Sequence, residues 1–329
     1  MKVRNCPMPD YLAVDAPATV PSLDPAKFQD PAVTADGSKR ATVALTALET
    51  LWFNTGTLCN IACANCYIES SPTNNRLAYL TLADVKAKLD EARMEADRLK
   101  EIGFTGGEPF MNPDIIAMLT MALDRGYQVL VLTNAMRPML RSIKPLEALN
   151  AAYPGQLTMR VSLDHYSAAL HEKERGPDSW APAMAGLKFL SDNGFRVDIA
   201  GRLCWGETEA ESRIGFAQLF KDLDLDLDAD DASRFVLFPE MDESQDVAEI
   251  TESCWGILGK SPDAVMCASS RMVVRKNGAA FASVLACTLI PYDAEFDLGQ
   301  TLAEASGDVS LNHPHCARFC VLGGASCSG

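Results

Sequence analysis

Three cysteines in the first quarter of the chain have a spacing that suits a metal site. Cys59, Cys63 and Cys66 are separated by three and two residues, directly after the apolar run 51–53. Thiols this close together can wrap one inorganic centre from a compact loop. A structural zinc site normally has a fourth Cys or His nearby, and the next is His165, about a hundred positions later. The spacing therefore predicts a metal centre with one open coordination position, the alternatives being a zinc knuckle or a fortuitous group of cysteines.

A glycine-rich turn follows the next predicted strand. Gly106, Gly107, Glu108 and Pro109 come directly after the apolar run 102–105. Two glycines allow the backbone to come close to a ligand, and the glutamate can accept a hydrogen bond from an ammonium group. An ordinary turn is the alternative for this tetrapeptide taken alone. At the end of the strand after a three-cysteine loop, it predicts a ligand-binding turn.

These segments together resemble the radical S-adenosylmethionine (radical SAM) superfamily. The stretch 162–176 also resembles the S-x-D … H-[DE]-x-x-R-G pattern of its branch containing molybdenum-cofactor synthase and the sulfatase-maturing enzymes. The resemblance implies that Cys59, Cys63 and Cys66 hold a [4Fe-4S] cluster whose free iron chelates the amino and carboxylate groups of SAM. It further implies that an electron from this cluster cleaves SAM, giving a 5′-deoxyadenosyl radical that abstracts a hydrogen from a substrate.

The same resemblance assigns contacts to SAM. The methionine amino group would bind at Gly106, Gly107 and Glu108. The carboxylate would bind Ser162 and Arg175, since a guanidinium can grip a carboxylate with two hydrogen bonds. Further candidates for ribose, carboxylate or adenine contacts are Asn134, Arg202, Asn65 and Tyr67.

Several of these candidates have an alternative. Arg202 is equally suited to an ordinary salt bridge. Asn65 stands where the family usually has an aromatic residue, so Tyr67 or Phe104 is expected to pack on the adenine. His171 is interpreted as a structural histidine with satisfied hydrogen bonds, because nothing marks it as an acid or base.

The C-terminal region holds a second group of cysteines: Cys267, Cys287, Cys316, Cys320 and Cys327. The turn Asn277-Gly278 between two β-compatible runs predicts a hairpin that brings the first two together. The region resembles the auxiliary-cluster module called Twitch, a shorter relative of SPASM. The resemblance implies one auxiliary iron–sulfur cluster on the first four cysteines, with Cys327 as a replacement ligand or a free thiol. Zinc is the alternative, because four thiolates suit either metal.

The elements that carry these residues alternate from about residue 49 onward. Strands are predicted near 51–53, 102–105, 128–132, 157–163, 196–203 and 234–238, with amphipathic helices between them, one of them beginning at Thr81. This pattern predicts an α/β fold, a partial (βα)6 barrel whose loops at the carboxyl ends of the strands carry the chemistry. The expected domains are an extended arm over 1–45, the barrel over 46–245, and a hairpin-plus-helix module over 246–329.

Composition limits the classes of partner. The 329 residues are 48% hydrophobic, enough for a full core, and their net charge of −15 leaves no basic surplus for nucleic acid or an anionic membrane. No signal peptide or membrane-length apolar stretch is evident, and the 11 cysteines cluster in loops. We therefore expect a cytoplasmic protein that uses its cysteines as metal ligands.

The resemblance implies a radical SAM enzyme that oxidises or rearranges a small-molecule substrate, with the auxiliary cluster binding that substrate or accepting its electron. One alternative is a peptide modifier that forms a thioether or carbon–carbon crosslink, although a 45-residue arm is short for a leader-binding domain. An iron–sulfur electron carrier and a zinc-stabilised binding protein are the others. The expected reductant is a flavodoxin or ferredoxin, docking at Lys39, Arg40 and Arg76.

Overall fold

The computed structural model describes residues 21–95 and 97–324. Its strands are β1 (Thr42–Val43), β2 (Thr50–Asn54), β3 (Glu101–Thr105), β4 (Gln128–Thr133), β5 (Leu157–Ser162), β6 (Arg196–Leu203), β7 (Phe235–Pro239), β8 (Ser270–Val274), β9 (Ser283–Leu285) and β10 (Val309–Ser310). Its helices are α1 (Leu82–Glu95), α2 (Ile115–Asp124), α3 (Arg137–Leu140), α4 (Ile143–Ala152), α5 (Ala168–Arg175), α6 (Trp180–Asp192), α7 (Glu209–Asp222) and α8 (Cys254–Leu258).

The core of the fold is an eight-stranded sheet in the order β7-β6-β5-β4-β3-β2-β8-β9. Strands β2 to β7 are all parallel to their neighbours, and the helices α1 to α7 lie in the connections between them. Because these strands follow one another in order, right-handed connections place the helices on one face of the sheet. On the other face, Trp52 and Leu130 belong to a core cluster with residues of the C-terminal region, so both faces are covered and the strands are continuously apolar. The predicted α/β class and its six strands are confirmed. The sheet stays open, with β7 and β9 as its edges.

Local sequence signals explain where the first helix begins. The Thr81 backbone amide and hydroxyl both donate to the Asp84 carboxylate, at 2.9 and 2.7 Å, and the Asp84 amide donates back to the Thr81 hydroxyl at 3.2 Å. These reciprocal bonds satisfy amides that the first helical turn leaves without partners. Helices α3, α4, α5 and α8 were not predicted from the sequence. Proline in the first turn of α3 and α4 is compatible with a helix start.

The C-terminal region contacts both edges of the parallel strands. The predicted hairpin is present as β8 and β9, and β8 pairs in parallel with the first barrel strand, β2. A π-helix, Cys316–Leu322, packs on the last barrel strand, where the rings of Phe319 and Phe238 lie 5.2 Å apart. The hairpin thus extends the barrel sheet at its first strand, while the π-helix covers its last.

The segment from residue 21 to β1 packs on the C-terminal region. Strand β1 pairs with β10, and Arg40 is fully buried, with its guanidinium 2.6 Å from Glu249 and bonded to backbone carbonyls. The prediction that Arg40 docks a reductant is therefore wrong, because its charge is neutralised inside the protein. Lys39 and Arg76 are exposed and pair with Glu252 and Glu69. Residues 1–20 of the predicted arm lie outside the described part.

Within residues 21–95 and 97–324, no helix is long and apolar enough to cross a membrane.

We predict that Gly103→Ala destabilises the protein by overpacking. Gly103 pairs with Trp52 across β2 and β3, and a Cβ there would overlap Cε3 of this fully buried ring. Overpacking of this kind costs about 1–3 kcal/mol. The denaturation midpoint should fall, whereas Gly307→Ala, at a position with open space, serves as the matched control. Equal midpoints for the two variants would contradict the packing described here.

Candidate functional site

One pocket at the carboxyl ends of the parallel strands gathers most of the predicted site residues. It is lined by three cysteines of one loop, by side chains and backbone from strand ends β3 to β6, and by α5. The predicted residues in its wall are Cys59, Cys63, Asn65, Cys66, Tyr67, Gly106, Gly107, Asn134, Ser162, Arg175 and Arg202. Residues far apart in sequence therefore face one space, as the carboxyl ends of parallel strands require.

The glycine turn holds the cysteine loop in place. The Gly107 amide donates to the Gly56 carbonyl at 2.8 Å, and the Glu108 amide donates to the Leu58 carbonyl at 3.2 Å. A Cβ at Gly107 would overlap the Leu58 carbonyl oxygen, and Gly106 has a φ of +133°. The glycines are required for the close approach of two loops, and not only for the approach of a ligand as the sequence suggested. Their backbone still lines the pocket.

Glu108 lies behind the pocket wall. Its side chain is buried and accepts hydrogen bonds from the Phe110 amide at 3.1 Å, the Thr133 hydroxyl at 2.9 Å and the Asn134 amide at 2.9 Å. Burial raises the pKa of this carboxyl to about 7. The structure thus gives Glu108 a role that the resemblance did not imply, since its oxygens are used to tie the ends of β3 and β4 together.

Asn134 also contacts the cysteine loop. Its Nδ2 donates to Asn60 Oδ1 at 2.9 Å, and its Oδ1 accepts from the Met136 amide at 3.0 Å. Both polar ends of the side chain are therefore engaged by protein. The Asn134–Asn60 bond adds a second fixed point directly after Cys59.

Glu174 on α5 supplies a third fixed point, and the sequence analysis did not identify it. Its buried carboxylate accepts from the Asn65 amide and Nδ2, both at 2.9 Å, and its backbone carbonyl accepts from Ala64 at 2.7 Å. Together these bonds hold the turn between Cys63 and Cys66. Glu174 sits in a run of four charged residues, and sequence alone does not show which of them faces inward.

Both arginines of the pocket are paired with carboxylates. Arg175 Nε lies 2.6 Å from Asp164 Oδ2, and Nη2 lies 3.3 Å from Asp164 Oδ1. Arg202 contacts Glu174 at 2.8 Å and Glu240 at 2.9 Å. For Arg202 the salt-bridge alternative is therefore what the structure shows.

Aromatic side chains near the pocket separate into lining and core residues. Tyr67 lines the pocket, whereas Phe104 is fully buried and its ring stacks on Phe53 with centroids 5.6 Å apart. Phe104 cannot pack on adenine, because its ring is packed in the hydrophobic core.

His171 is buried against Trp180, and burial lowers its pKa to about 4. Its ring nitrogens make no hydrogen bond within the described residues, so it is structural but not satisfied as predicted.

The pocket cysteines suit a metal-bound state. Burial raises the pKa of the Cys59 thiol to about 12 and that of Cys63 to about 11. Thiols with such pKa values are neutral at neutral pH, and metal coordination is the ordinary way to deprotonate them. Three thiols on one short loop provide the donor set of an iron–sulfur cluster with one iron left free.

The later cysteines form a separate site. Cys267, Cys287, Cys316 and Cys320 line one small cavity whose other walls are mostly apolar, and His315 also faces it. Burial raises the pKa of Cys267 to about 11 and that of Cys316 well above its usual range. The hairpin does bring Cys267 and Cys287 together, as predicted. Cys327 lies outside the described residues.

A buried cation lies beside this second group. Arg271 is 1% exposed and donates to the carbonyls of Ala305 at 2.7 Å, Cys267 at 2.6 Å, Ser270 at 2.8 Å and Gly307 at 3.2 Å. No carboxylate of the described residues forms an ion pair with it. Burial lowers the pKa of Arg271, and negative charge on Cys267 and Cys287 would raise it. A buried cation of this kind fits an anionic metal–thiolate centre in the adjacent cavity.

We predict that Glu174→Gln weakens metal retention at the first cysteine loop. The amide keeps the shape of the side chain but removes the charge that faces Arg202 and one of two acceptors for Asn65. Iron per chain after anaerobic reconstitution should fall relative to wild type. Glu147→Gln, an exposed carboxylate on α4, is the control. Wild-type iron content in Glu174→Gln would show that this contact does not hold the loop.

Comparisons with known proteins agree with this geometry. Residues 53–214 match the family model of the Radical SAM superfamily. The antilisterial bacteriocin subtilosin biosynthesis protein AlbA of Bacillus subtilis (strain 168) is 31% identical over 148 residues, 43% of this chain and 30% of AlbA. AdoMet-dependent heme synthase of Nitratidesulfovibrio vulgaris is 29% identical over 147 residues, 43% of this chain and 36% of that protein. The matched region spans about a third of the length of these curated relatives.

The fold is also found in solved structures. Streptococcus suis SuiB bound to S-adenosylmethionine superposes with a TM-score of 0.57 at 13% identity, covering 77% of this chain and 63% of SuiB. SuiB bound to its precursor peptide SuiA gives a TM-score of 0.56 at 13% identity, covering 78% and 63%. At this identity the likeness concerns the fold alone. Residues 53–214, which contain the cysteine loop, the glycine turn and strands β3 to β6, are the part of the chain that is similar to the radical SAM superfamily.

Proposed function

We propose that this chain is an enzyme that reductively cleaves S-adenosylmethionine and uses the 5′-deoxyadenosyl radical to abstract a hydrogen from a substrate. The observation that carries the proposal is the single pocket into which the cysteine loop, the glycine turn and Arg175 all face. A [4Fe-4S] cluster on Cys59, Cys63 and Cys66 would supply the electron for this cleavage. Everything else in the pocket would bind, orient and protect the reactants.

The chain's own residues would hold SAM in a fixed orientation. The backbone at Gly106 and Gly107 lines the pocket where the methionine amino group would bind, with Glu108 fixing the turn from behind. Ser162 and Arg175 would hold the carboxylate, and Asp164 orients the guanidinium through its contact at 2.6 Å. Tyr67 is the remaining candidate for adenine. Fixed orientation matters here because the radical must form beside the hydrogen that it removes.

One wall of the pocket is apolar, and we place the substrate against it. Phe238 and Met241 from the end of β7 and Leu289 and Phe319 from the C-terminal region form this wall. An apolar wall excludes water from a reactive intermediate and favours an apolar group of the substrate. The residues of this wall come from both the barrel and the C-terminal region, so both would contribute to substrate choice.

The substrate class that we favour is a peptide presenting an apolar side chain. The support is the kinship with the bacteriocin biosynthesis protein AlbA and the shared fold of SuiB, which was solved with its precursor peptide. A small-molecule substrate is the second candidate, because the AdoMet-dependent heme synthase is a relative at similar identity. Crosslinking or other modification of a candidate peptide, detected by mass spectrometry, would separate the two.

We also propose an auxiliary iron–sulfur cluster at the second cysteine site. Its support is the cavity shared by four cysteines and the buried charge of Arg271. This arrangement is what the Twitch-type resemblance implies, and the cluster would bind substrate or accept an electron from it. A flavodoxin or ferredoxin is the proposed reductant of the enzyme.

The cleavage reaction gives the direct test. With dithionite and SAM under anaerobic conditions, the protein should release 5′-deoxyadenosine, measured by chromatography. Cys63→Ala should abolish this release, because the first cluster loses a ligand. Cys254→Ala, at a buried cysteine outside both groups, is the matched control and should retain it. Continued SAM cleavage by Cys63→Ala would refute the assignment of the site.

Arg271 should tune the auxiliary centre through its charge. Arg271→Met removes a buried cation, so the anionic centre should bind less iron and have a lower reduction potential. Arg271→Lys keeps the charge, so its iron content and reduction potential should be closer to those of the wild type. Iron analysis and a spectroscopic redox titration measure these effects. If the methionine variant matches wild type in potential and iron content, the cation does not act on a centre in this cavity.

A further inference from the structure

His315 is a buried histidine beside the second group of cysteines. It is 1% exposed and its ring lines the same cavity as Cys267, Cys287 and Cys316. Neither ring nitrogen makes a hydrogen bond within the described residues. A buried imidazole without hydrogen bonds is costly in a folded protein, and a bound ion is one of its explanations. For His315 this explanation is favoured because the residue shares its cavity with cysteines.

A carboxylate lies next to one of the two nitrogens. Glu243 Oε1 is 3.0 Å from His315 Nε2, at ion-pair distance although outside hydrogen-bond geometry. Histidines that bind a metal through one nitrogen generally turn the other toward a carboxylate or a carbonyl, which fixes the ring and its tautomer. With Nε2 beside Glu243, Nδ1 is the nitrogen left for a ligand.

The neighbouring cysteines differ in how well they are enclosed. Cys267, Cys287 and Cys316 are buried and line the same small cavity. Cys320 is partly exposed, four residues further along the π-helix. Three buried thiols and one buried imidazole therefore line the cavity, together with the partly exposed thiol of Cys320.

We propose that His315, through Nδ1, is a nitrogen ligand of the auxiliary iron–sulfur centre, together with Cys267, Cys287 and Cys316. Glu243 is then a positioning residue that orients the imidazole. Cys320 remains beside the centre without ligating it. This inference rests on the proposed auxiliary centre and assigns its fourth ligand.

A different arrangement uses the same histidine. Glu243, His313 and His315 could together hold one divalent ion, since their ligand atoms lie within 4.8 Å of one another. However, His313 Nδ1 already accepts a hydrogen bond from the His315 amide at 3.1 Å. The neutral His313 ring then carries its proton on Nε2, the nitrogen nearer Glu243, and this nitrogen cannot bind a metal. We therefore favour ligation by His315 alone.

The test isolates the second centre and labels histidine. A variant of this chain with Cys59, Cys63 and Cys66 changed to alanine removes the first cluster, and 15N-histidine marks the 4 histidines of the chain. In the reduced protein, electron–nuclear double resonance should show a 15N coupling to the cluster. This coupling should disappear in His315→Asn and persist in His313→Asn, the control two residues away.

Each outcome decides a separate point. Cluster iron without any 15N coupling would overturn the ligand assignment and favour an all-cysteine centre that includes Cys320. A coupling lost in His313→Asn and kept in His315→Asn would move the ligand to His313. If the variant that lacks Cys59, Cys63 and Cys66 binds zinc and no cluster iron, the proposed auxiliary iron–sulfur cluster is refuted. The ligand assignment is then refuted as well.

Ligation by nitrogen also sets the reduction potential. A histidine in place of a thiolate leaves the centre less negative, and potentials of iron–sulfur clusters rise accordingly. His315→Cys should therefore keep the cluster iron and lower the potential, measured by redox titration. An unchanged potential in His315→Cys would contradict nitrogen ligation and would leave the thiol of Cys320 as the fourth ligand.

Discussion

The site depends on the hydrogen bonds that fix the cysteine loop to the ends of the parallel strands. The loop residues on either side of Cys59 are bonded to the glycine turn and to Asn134, and the turn before Cys66 is bonded to Glu174. Three short segments from β3, β4 and α5 thus determine where the sulfurs lie. The groups that make these contacts lie at the ends of the strands and on α5. A small change in strand register would therefore displace these groups and move all three thiols.

Buried charges reinforce this arrangement and are costly to place. Glu174 and Arg271 are almost fully buried, as is Glu108, whose pKa burial raises to about 7, and each is engaged by several hydrogen bonds from the protein. A buried charge without such partners would destabilise the fold by several kcal/mol. Glu174 contacts the cysteine loop, Glu108 fixes the turn that holds this loop, and Arg271 lies beside the second group of cysteines.

Much of this could be predicted from the sequence, because strand periodicity and cysteine spacing are local signals. The six parallel strands and the pairing of β8 with β9 follow from such signals. The glycine turn could be predicted as a ligand-binding turn, but its hydrogen bonds to the cysteine loop could not, because they join segments that are distant in sequence. The inward orientation of Glu174 and the burial of Arg40 could not be predicted. Both depend on contacts between segments more than a hundred residues apart, such as Arg40 with Glu249 and Glu174 with Asn65.

We propose that a [4Fe-4S] cluster held by the three-cysteine loop has one iron open for SAM. Electron–nuclear double resonance of the reduced protein with SAM carrying a 15N amino group and a 17O carboxylate tests it most directly. We expect couplings of both the 15N and the 17O label of SAM to the first cluster. The absence of both couplings, in protein with a full complement of iron and bound SAM, would contradict this proposal.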